Sequence, residues 1–240
     1  MSRASLIILI TVIILSGCAK KSDNPAITKP DTIATAPSYG SLSYLALGDS
    51  YTVGQSVPQN ASFPAQLTSQ LNYQLYPVKP PTIIAITGWT SSNLIYGIAH
   101  SNYVHTKFDF VTLLIGVNDQ FLNISETTYR SNFVTLLHTA INFAKGDNTR
   151  VFVLSIPDYG VTPFAMGRDS VIGPQIDQFN AINKQESLKA GVSYLDITGI
   201  SRLAATDTTL IASDGLHPSG KMYTLWVQQL EPMVLARLKQ

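Results

Sequence analysis

The stretch "ALGDSYTVG", Ala46 to Gly54, decides how this chain is read. It follows "LSYL" (42–45), and together they make an apolar run of β-forming residues, "LSYLAL" (42–47), that stops at Gly48. An Asp and a Ser follow at once. Gly, Asp and Ser are ordinary turn residues, so one reading is a strand that simply ends. The other is that a hydroxyl, Ser50, is presented at the carboxyl end of a buried strand. Local sequence leaves both open, and the rest of the chain must choose between them.

Working outward, four more short apolar runs recur: "TIIAI" (82–86), "FDFVTLLI" (108–115), "RVFVLSI" (150–156) and "VSYLDI" (192–197). They are near-continuously apolar rather than alternating, as expected of strands covered on both faces. Helix-like segments lie between them. "SFPAQLTSQLNYQL" (62–75) has Ser62 as a candidate cap and Phe63, Leu67 and Leu71 at four-residue spacing. "SETTYRSNFVTLLHTAINFAKG" (125–146) opens on Ser125 and stops at Lys145-Gly146, and "PQIDQFNAINKQESLKAG" (174–191) stops at Gly191. "SGKMYTLWVQQLEPMVLARL" (219–238) closes the chain, with Pro232 predicting a kink or break. Strands alternating with helices imply right-handed crossovers, a five-stranded parallel sheet and an α/β domain with helices on both sides. Ligands in such folds sit at the carboxyl ends of the strands, where "GDSY" lies.

The chain has 240 residues, 45% of them apolar and only 13% charged, with a formal net charge of +1. That is enough for one sizeable domain with a real core and excludes a disordered polyampholyte. No basic stripe suggests a nucleic-acid partner. The first residues differ: Arg3 precedes "LIILITVIIL" (6–15), too short to span a bilayer comfortably and suited to a secretory leader. "LSGC" follows and contains the single cysteine, Cys18. It resembles a bacterial lipobox, whose Cys is lipidated and becomes the mature N-terminus. The expected organisation is a leader over 1–17, a Lys/Ser/Thr/Pro-rich tether over 18–41 and one domain over 42–240. Cleavage before Cys18 removes Arg3 and leaves equal numbers of cationic and acidic side chains. Membrane attachment would then rest on the lipid, with the domain in the bacterial cell envelope, at the outer membrane or cell surface.

Each later strand is followed by polar residues. "ITGWTSSNL" brings Gly88 to a turn before a helix start, where a backbone N–H can approach a ligand closely. "LLIGVNDQF" brings Asn118, whose amide donors suit a developing oxyanion, and Asp119. "SIPDYGVTPF" reads as a loop near a pocket. "SDGLHPSGKMY" (213–223) places Asp214 and His217 three residues apart, so one loop can deliver a base and the acid that orients it. Ser50, His217 and Asp214 together supply the parts of an acyl-transfer centre. Asp49 and Asp119 are expected to brace loops by hydrogen bonding. Tyr51, Phe63, Trp89 and Tyr159 are candidates to line an acyl or alcohol pocket. His100 and His105 lack the H-E-x-x-H spacing, so no metal or cofactor is expected, and His138 is read as a helix-face or core residue.

"GDSY", Gly88 in "ITGWT", "GVND" and "DGLHPS" resemble, in order, the four sequence blocks of the SGNH (GDSL) hydrolase family, from Gly48 to Ser219. The resemblance implies a flavodoxin-like three-layer α/β/α fold and a Ser50–His217–Asp214 triad. It also implies an oxyanion hole built from the backbone N–H groups of Ser50 and Gly88 and the Asn118 side chain. No G-x-S-x-G elbow is present, which argues against an α/β-hydrolase. The expected function is a serine ester hydrolase acting through an acyl-enzyme, on short acyl groups such as acetyl esters of carbohydrate. The alternatives are a lysophospholipase or lipase, an acyltransferase on the same scaffold, and a non-catalytic surface-binding lipoprotein. A binding module needs neither a base nor its orienting acid.

Overall fold

A computed structural model describes residues 40–239. The leader, Cys18 and nearly all of the 18–41 tether lie outside the described residues. Five strands form in the expected places: β1 (Tyr44–Gly48), β2 (Thr82–Ala85), β3 (Phe110–Leu114), β4 (Val151–Leu154) and β5 (Ser193–Leu195). All pair in parallel, in the order β2-β1-β3-β4-β5. Every residue of β1, β3 and β4 is buried, whereas the edge strands β2 and β5 are partly exposed. The unbroken apolar runs therefore mark strands that face helices on both sides.

The path from β1 steps to β2 on one side, and the chain then returns across β1 to β3, β4 and β5. Right-handed crossovers in opposite directions put the connecting helices on opposite faces. α2 (Phe63–Tyr73), between β1 and β2, accordingly packs against the terminal helix α8 (Gly220–Leu238) on one face. α3 (Ser91–Ala99), α5 (Glu126–Phe143) and α6 (Asp169–Lys189) pack in sequence on the other. This is the three-layer α/β/α arrangement. The shorter helices α1 (Ser50–Val53), α4 (Val117–Phe121) and α7 (Thr198–Arg202) follow strand ends. The core joins both faces, with Trp226, Tyr223 and Phe63 clustered under α2 and α8.

Pro232 does not break its helix, and a second helix starts earlier than expected. α8 runs unbroken through Pro232. The missing N–H forfeits one helix bond, but Trp226, Val227 and Leu230 before it and Val234 and Leu238 after it are all buried and hold both halves to the core. α6 begins at Asp169, five residues before the expected start, and carries Pro174 inside it. That proline is the sixth helical residue and forfeits one helix bond, while buried Ile172, Ile176 and Phe179 hold the helix to the core across it.

Because β1 lies between β2 and β3, the connections from its neighbourhood diverge at its carboxyl end. Such a switch point opens a crevice there in parallel α/β sheets. Gly48 closes β1 and pairs with Leu114, which closes β3. The loops after these two strands, carrying Ser50 and Asn118, therefore face one another by topology.

Candidate active site

The nucleophile candidate sits at the first position of α1. Asp49 is the N-cap, its Oδ1 accepting the Tyr51 N–H at 3.0 Å, and Gly54 ends the helix in a left-handed conformation at φ 81°. Gly48 permits the turn to lie close against β3 and α1: a Cβ there would fall 2.4 Å from the Leu114 carbonyl oxygen and 2.1 Å from Thr52 Oγ1. As the first helical residue, Ser50 keeps a backbone N–H that the helix itself cannot use. The Tyr223 hydroxyl of α8 donates to the Tyr51 carbonyl at 3.0 Å and ties α1 to the far end of the chain.

The loop before α8 carries the candidate base, His217. Asp214 Oδ1 accepts the N–H groups of Leu216 and His217, both at 3.0 Å, while its Oδ2 accepts from His217 Nδ1 at 2.6 Å. A left-handed Gly215 (φ 73°) lets the three-residue spacing fold back on itself, and the His217 carbonyl accepts from the Ala212 N–H at 2.8 Å. Burial pushes the Asp214 carboxyl up, but hydrogen bonds from Ser56, His217 and the two backbone groups outweigh it and hold the carboxyl well below its usual range. Asp214 is therefore ionised and accepts the Nδ1 proton, which leaves the lone pair of His217 on Nε2. The Tyr51 ring meets the imidazole edge-on at 5.7 Å.

Ser50, Asn118 and His217 line one cavity of about 100 Å³, together with Tyr51, Tyr159 and Phe164. Among the described residues Ser50 Oγ makes no hydrogen bond; catalytic hydrogen bonds commonly close only once substrate is bound. Asn118, on α4, gives one amide proton to the Trp89 carbonyl at 3.0 Å, which leaves its second amide proton unspent. Gly88 is brought beside this group without lining the cavity. Thr87 Oγ1 bonds to Gln55 Oε1 at 2.7 Å on one side of it, and Trp89 is held by Asn118 on the other. Its φ of 85° requires glycine, and its N–H has no partner among the described residues.

The two aspartates behave as braces. Asp119 accepts from both the N–H and the hydroxyl of Ser91, at 2.8 and 2.5 Å, pinning the start of α3 to α4. Burial raises its pKa against those two bonds. Asp49 is only 1% exposed, and its Oδ2 has no hydrogen-bond partner among the described residues. Burial pushes its carboxyl up to about 8, helped by the nearby Asp119 charge and opposed by the Tyr51 N–H.

Of the expected pocket residues, Tyr51 and Tyr159 line the cavity. Phe63 is instead core against Tyr223 and Trp226, and Trp89 lies over Gly97 of α3. His138 sits on the exposed face of α5, and His100 bonds to the Tyr96 carbonyl at 2.8 Å and stacks on its ring. Among the described residues no three His, Cys, Asp or Glu side chains gather as they would around a metal ion. Sequence reasoning missed Ser56, whose hydroxyl donates to Asp214 Oδ2 at 2.6 Å across 158 residues of chain, and it missed Phe121 and Phe164 in the cavity wall.

Comparisons with known proteins bear on the fold and the family. A lipase/acylhydrolase from Enterococcus faecalis superposes with a TM-score of 0.65 at 19% identity, over 82% of this chain and 96% of that one. An acetylxylan esterase from Geobacillus stearothermophilus gives 0.61 at 17%, covering 81% and 95%. A psychrotrophic esterase from Pseudoalteromonas, inhibited by monoethylphosphonate, gives 0.59 at 16%, covering 83% and 100%. At these identities the likeness is one of fold. A search of curated proteins returns no match. Residues 46–225 match the model of the GDSL-like lipase/acylhydrolase family, a span that contains every site residue described above. The chain belongs to that family and is a carboxylic ester hydrolase.

Proposed function

We propose that the enzyme cleaves esters with short acyl groups through a covalent acyl-Ser50 intermediate. One observation carries the reading: His217, held by Asp214 at 2.6 Å, lines the same cavity as Ser50 and Asn118. A serine hydroxyl is a weak nucleophile near neutral pH, so His217 Nε2 takes its proton as Oγ bonds to the ester carbonyl carbon. The developing imidazolium is stabilised by the ionised Asp214. The carbonyl oxygen becomes an oxyanion, and in this reading the Ser50 N–H, the Gly88 N–H and the second Asn118 amide proton donate to it. When the intermediate collapses, the C–O bond to the alcohol breaks and His217 gives its proton to the departing oxygen. Water then repeats the sequence on the acyl-enzyme, losing a proton to His217, and releases the acid with Ser50 restored.

The cavity supports the short-acyl reading. At about 100 Å³ it lies well below the roughly 300–1,000 Å³ typical of pockets for drug-sized ligands. The acetylxylan esterase among the structural neighbours makes acetylated carbohydrate a reasonable natural ester. On the "LSGC" stretch alone, we place the domain at the cell envelope on a lipidated Cys18 and a tether over 18–41. Nitrophenyl esters of increasing acyl length test the activity. Residues 25–240 should hydrolyse acetate fastest and be inactivated by a serine-directed phosphonate, and Ser50→Ala should lose nearly all turnover. Equal turnover by Ser50→Ala would sink the mechanism.

A further inference from the structure

Three aromatic side chains from two separate post-strand segments meet at the mouth of the cavity. Phe121 ends α4, three residues after Asn118. Tyr159 and Phe164 come from the loop after β4. Their ring centroids form a near-equilateral triangle: Phe121–Tyr159 and Phe121–Phe164 are 6.3 Å apart and Tyr159–Phe164 is 6.4 Å. Tyr159 is a fixed floor, buried, with its hydroxyl donating to Gln120 Oε1 at 2.9 Å while Gln120 Nε2 donates to Gln175 at 2.7 Å. Phe121 and Phe164 are 47% and 41% exposed. A folded surface that leaves two neighbouring phenyl rings half wet beside a reaction centre has apolar area ready for a ligand.

The position of Phe164 says which part of the ester meets it. Its backbone N–H donates to the Gly215 carbonyl at 3.1 Å, and Pro163 lies against Gly215, so this segment is docked on the loop that carries Asp214 and His217. Phe164 and Leu216 line the cavity together with His217. With the ester carbonyl oxygen at the Ser50, Gly88 and Asn118 donors, the leaving oxygen must lie by His217, which protonates it. Whatever is attached to that oxygen runs onto Phe164. The acyl group occupies the confined remainder.

Building on the hydrolase reading above, we propose that Phe121, Tyr159 and Phe164 form a leaving-group subsite that selects esters of ring-bearing alcohols, an aryl ring or the apolar face of a sugar. Centroids this close leave no room for a third ring between them, since stacking on both sides needs about 7 Å. The substrate ring therefore lies across the cluster, in the offset or edge contacts that aromatic groups favour.

Acetates of ethanol, hexan-1-ol and benzyl alcohol keep the acyl group constant and leave as alkoxides of comparable basicity; a methyl β-xylopyranoside acetate leaves as a less basic alkoxide, so its ring contact is read from the advantage lost on Phe164→Ala. Acetate release gives kcat and KM for each. Benzyl or xyloside acetate should exceed both ethyl and hexyl acetate in kcat/KM by about tenfold, and which of the two loses more on Phe164→Ala tells an aryl ring from a sugar. Phe164→Ala should erase that advantage chiefly through KM, while Phe164→Tyr, which keeps the ring, should retain it. Hexyl acetate matching the ring esters, or Phe164→Ala lowering all four substrates alike, would overturn the subsite and leave the hydrolase intact. A wild-type enzyme idle on all four acetates would remove the hydrolase reading and this subsite with it.

Discussion

Replacing Gly48 with alanine tests how the sheet holds the nucleophile. The added Cβ would lie 2.4 Å from the Leu114 carbonyl oxygen and 2.1 Å from Thr52 Oγ1, whereas carbon–oxygen contacts normally settle at about 3.3–3.6 Å. About 1 Å of movement is needed. The obstacle is the backbone of β3, held in register by Gly48↔Leu114, and a fully buried Thr52 on the helix that begins at Ser50. Neither gives way easily. Overpacking of this kind costs about 1–3 kcal/mol, and a backbone obstacle puts Gly48→Ala near the upper end. For a domain of this size about 3 kcal/mol lowers Tm by roughly 6–12 °C. Relaxation that moves Ser50 by about 1 Å should also reduce turnover about 100-fold. Differential scanning calorimetry and nitrophenyl acetate hydrolysis read both effects. Gly199 is the control: it is exposed in α7 and nothing lies within 4 Å of its added Cβ, so Gly199→Ala should hold or gain about 0.5–1 kcal/mol. A Gly48→Ala enzyme with wild-type Tm and turnover would refute the claim that this close approach positions Ser50.

Two further outcomes follow from the same geometry. Asn118→Ala removes one oxyanion donor and should lower kcat by about 100- to 1000-fold with little change in KM; steady-state kinetics on a short-chain ester decide it, and a change confined to KM would reassign Asn118 to ground-state binding. The Asp49 carboxyl, pushed up to about 8 by burial, keeps in the folded state a proton that the unfolded chain loses near pH 4. Wild-type stability should therefore fall as pH rises through that window, by up to about 1.4 kcal/mol per unit. Asp49→Asn, which keeps an acceptor for the Tyr51 N–H, should flatten this slope in urea unfolding between pH 5 and 8, and parallel curves would contradict it.

Much of the site was legible because its chemistry is local. The Asp214–His217 pair sits within one loop, and its three-residue spacing needs only the left-handed Gly215 to close the 2.6 Å contact. The braces at Asp49 and Asp119 were expected as hydrogen-bonding residues, although nothing in the sequence says that they lie close enough for one charge to raise the other's pKa. Ser56 was invisible. It carries no motif and reaches Asp214 only because the segment after α1 and the loop before α8 converge. Phe121 and Phe164 looked like ordinary loop aromatics, and Phe63, chosen from the same residue class, proved to be core.

By itself, the sequence determined the alternation of strands and helices and the candidate site residues. Strands buried on both faces must be continuously apolar, turns after them must use small polar residues, and each of these constraints acts within a few residues. The tertiary structure decided what depends on distant segments meeting. The crossover at β1 sets the Ser50 and Asn118 loops face to face, and the packing of α8 carries its helix through Pro232. The convergence of the segments after β3 and β4 builds the aromatic mouth. Those contacts join side chains far apart in the chain, so their geometry exists only once the sheet has fixed where each segment ends.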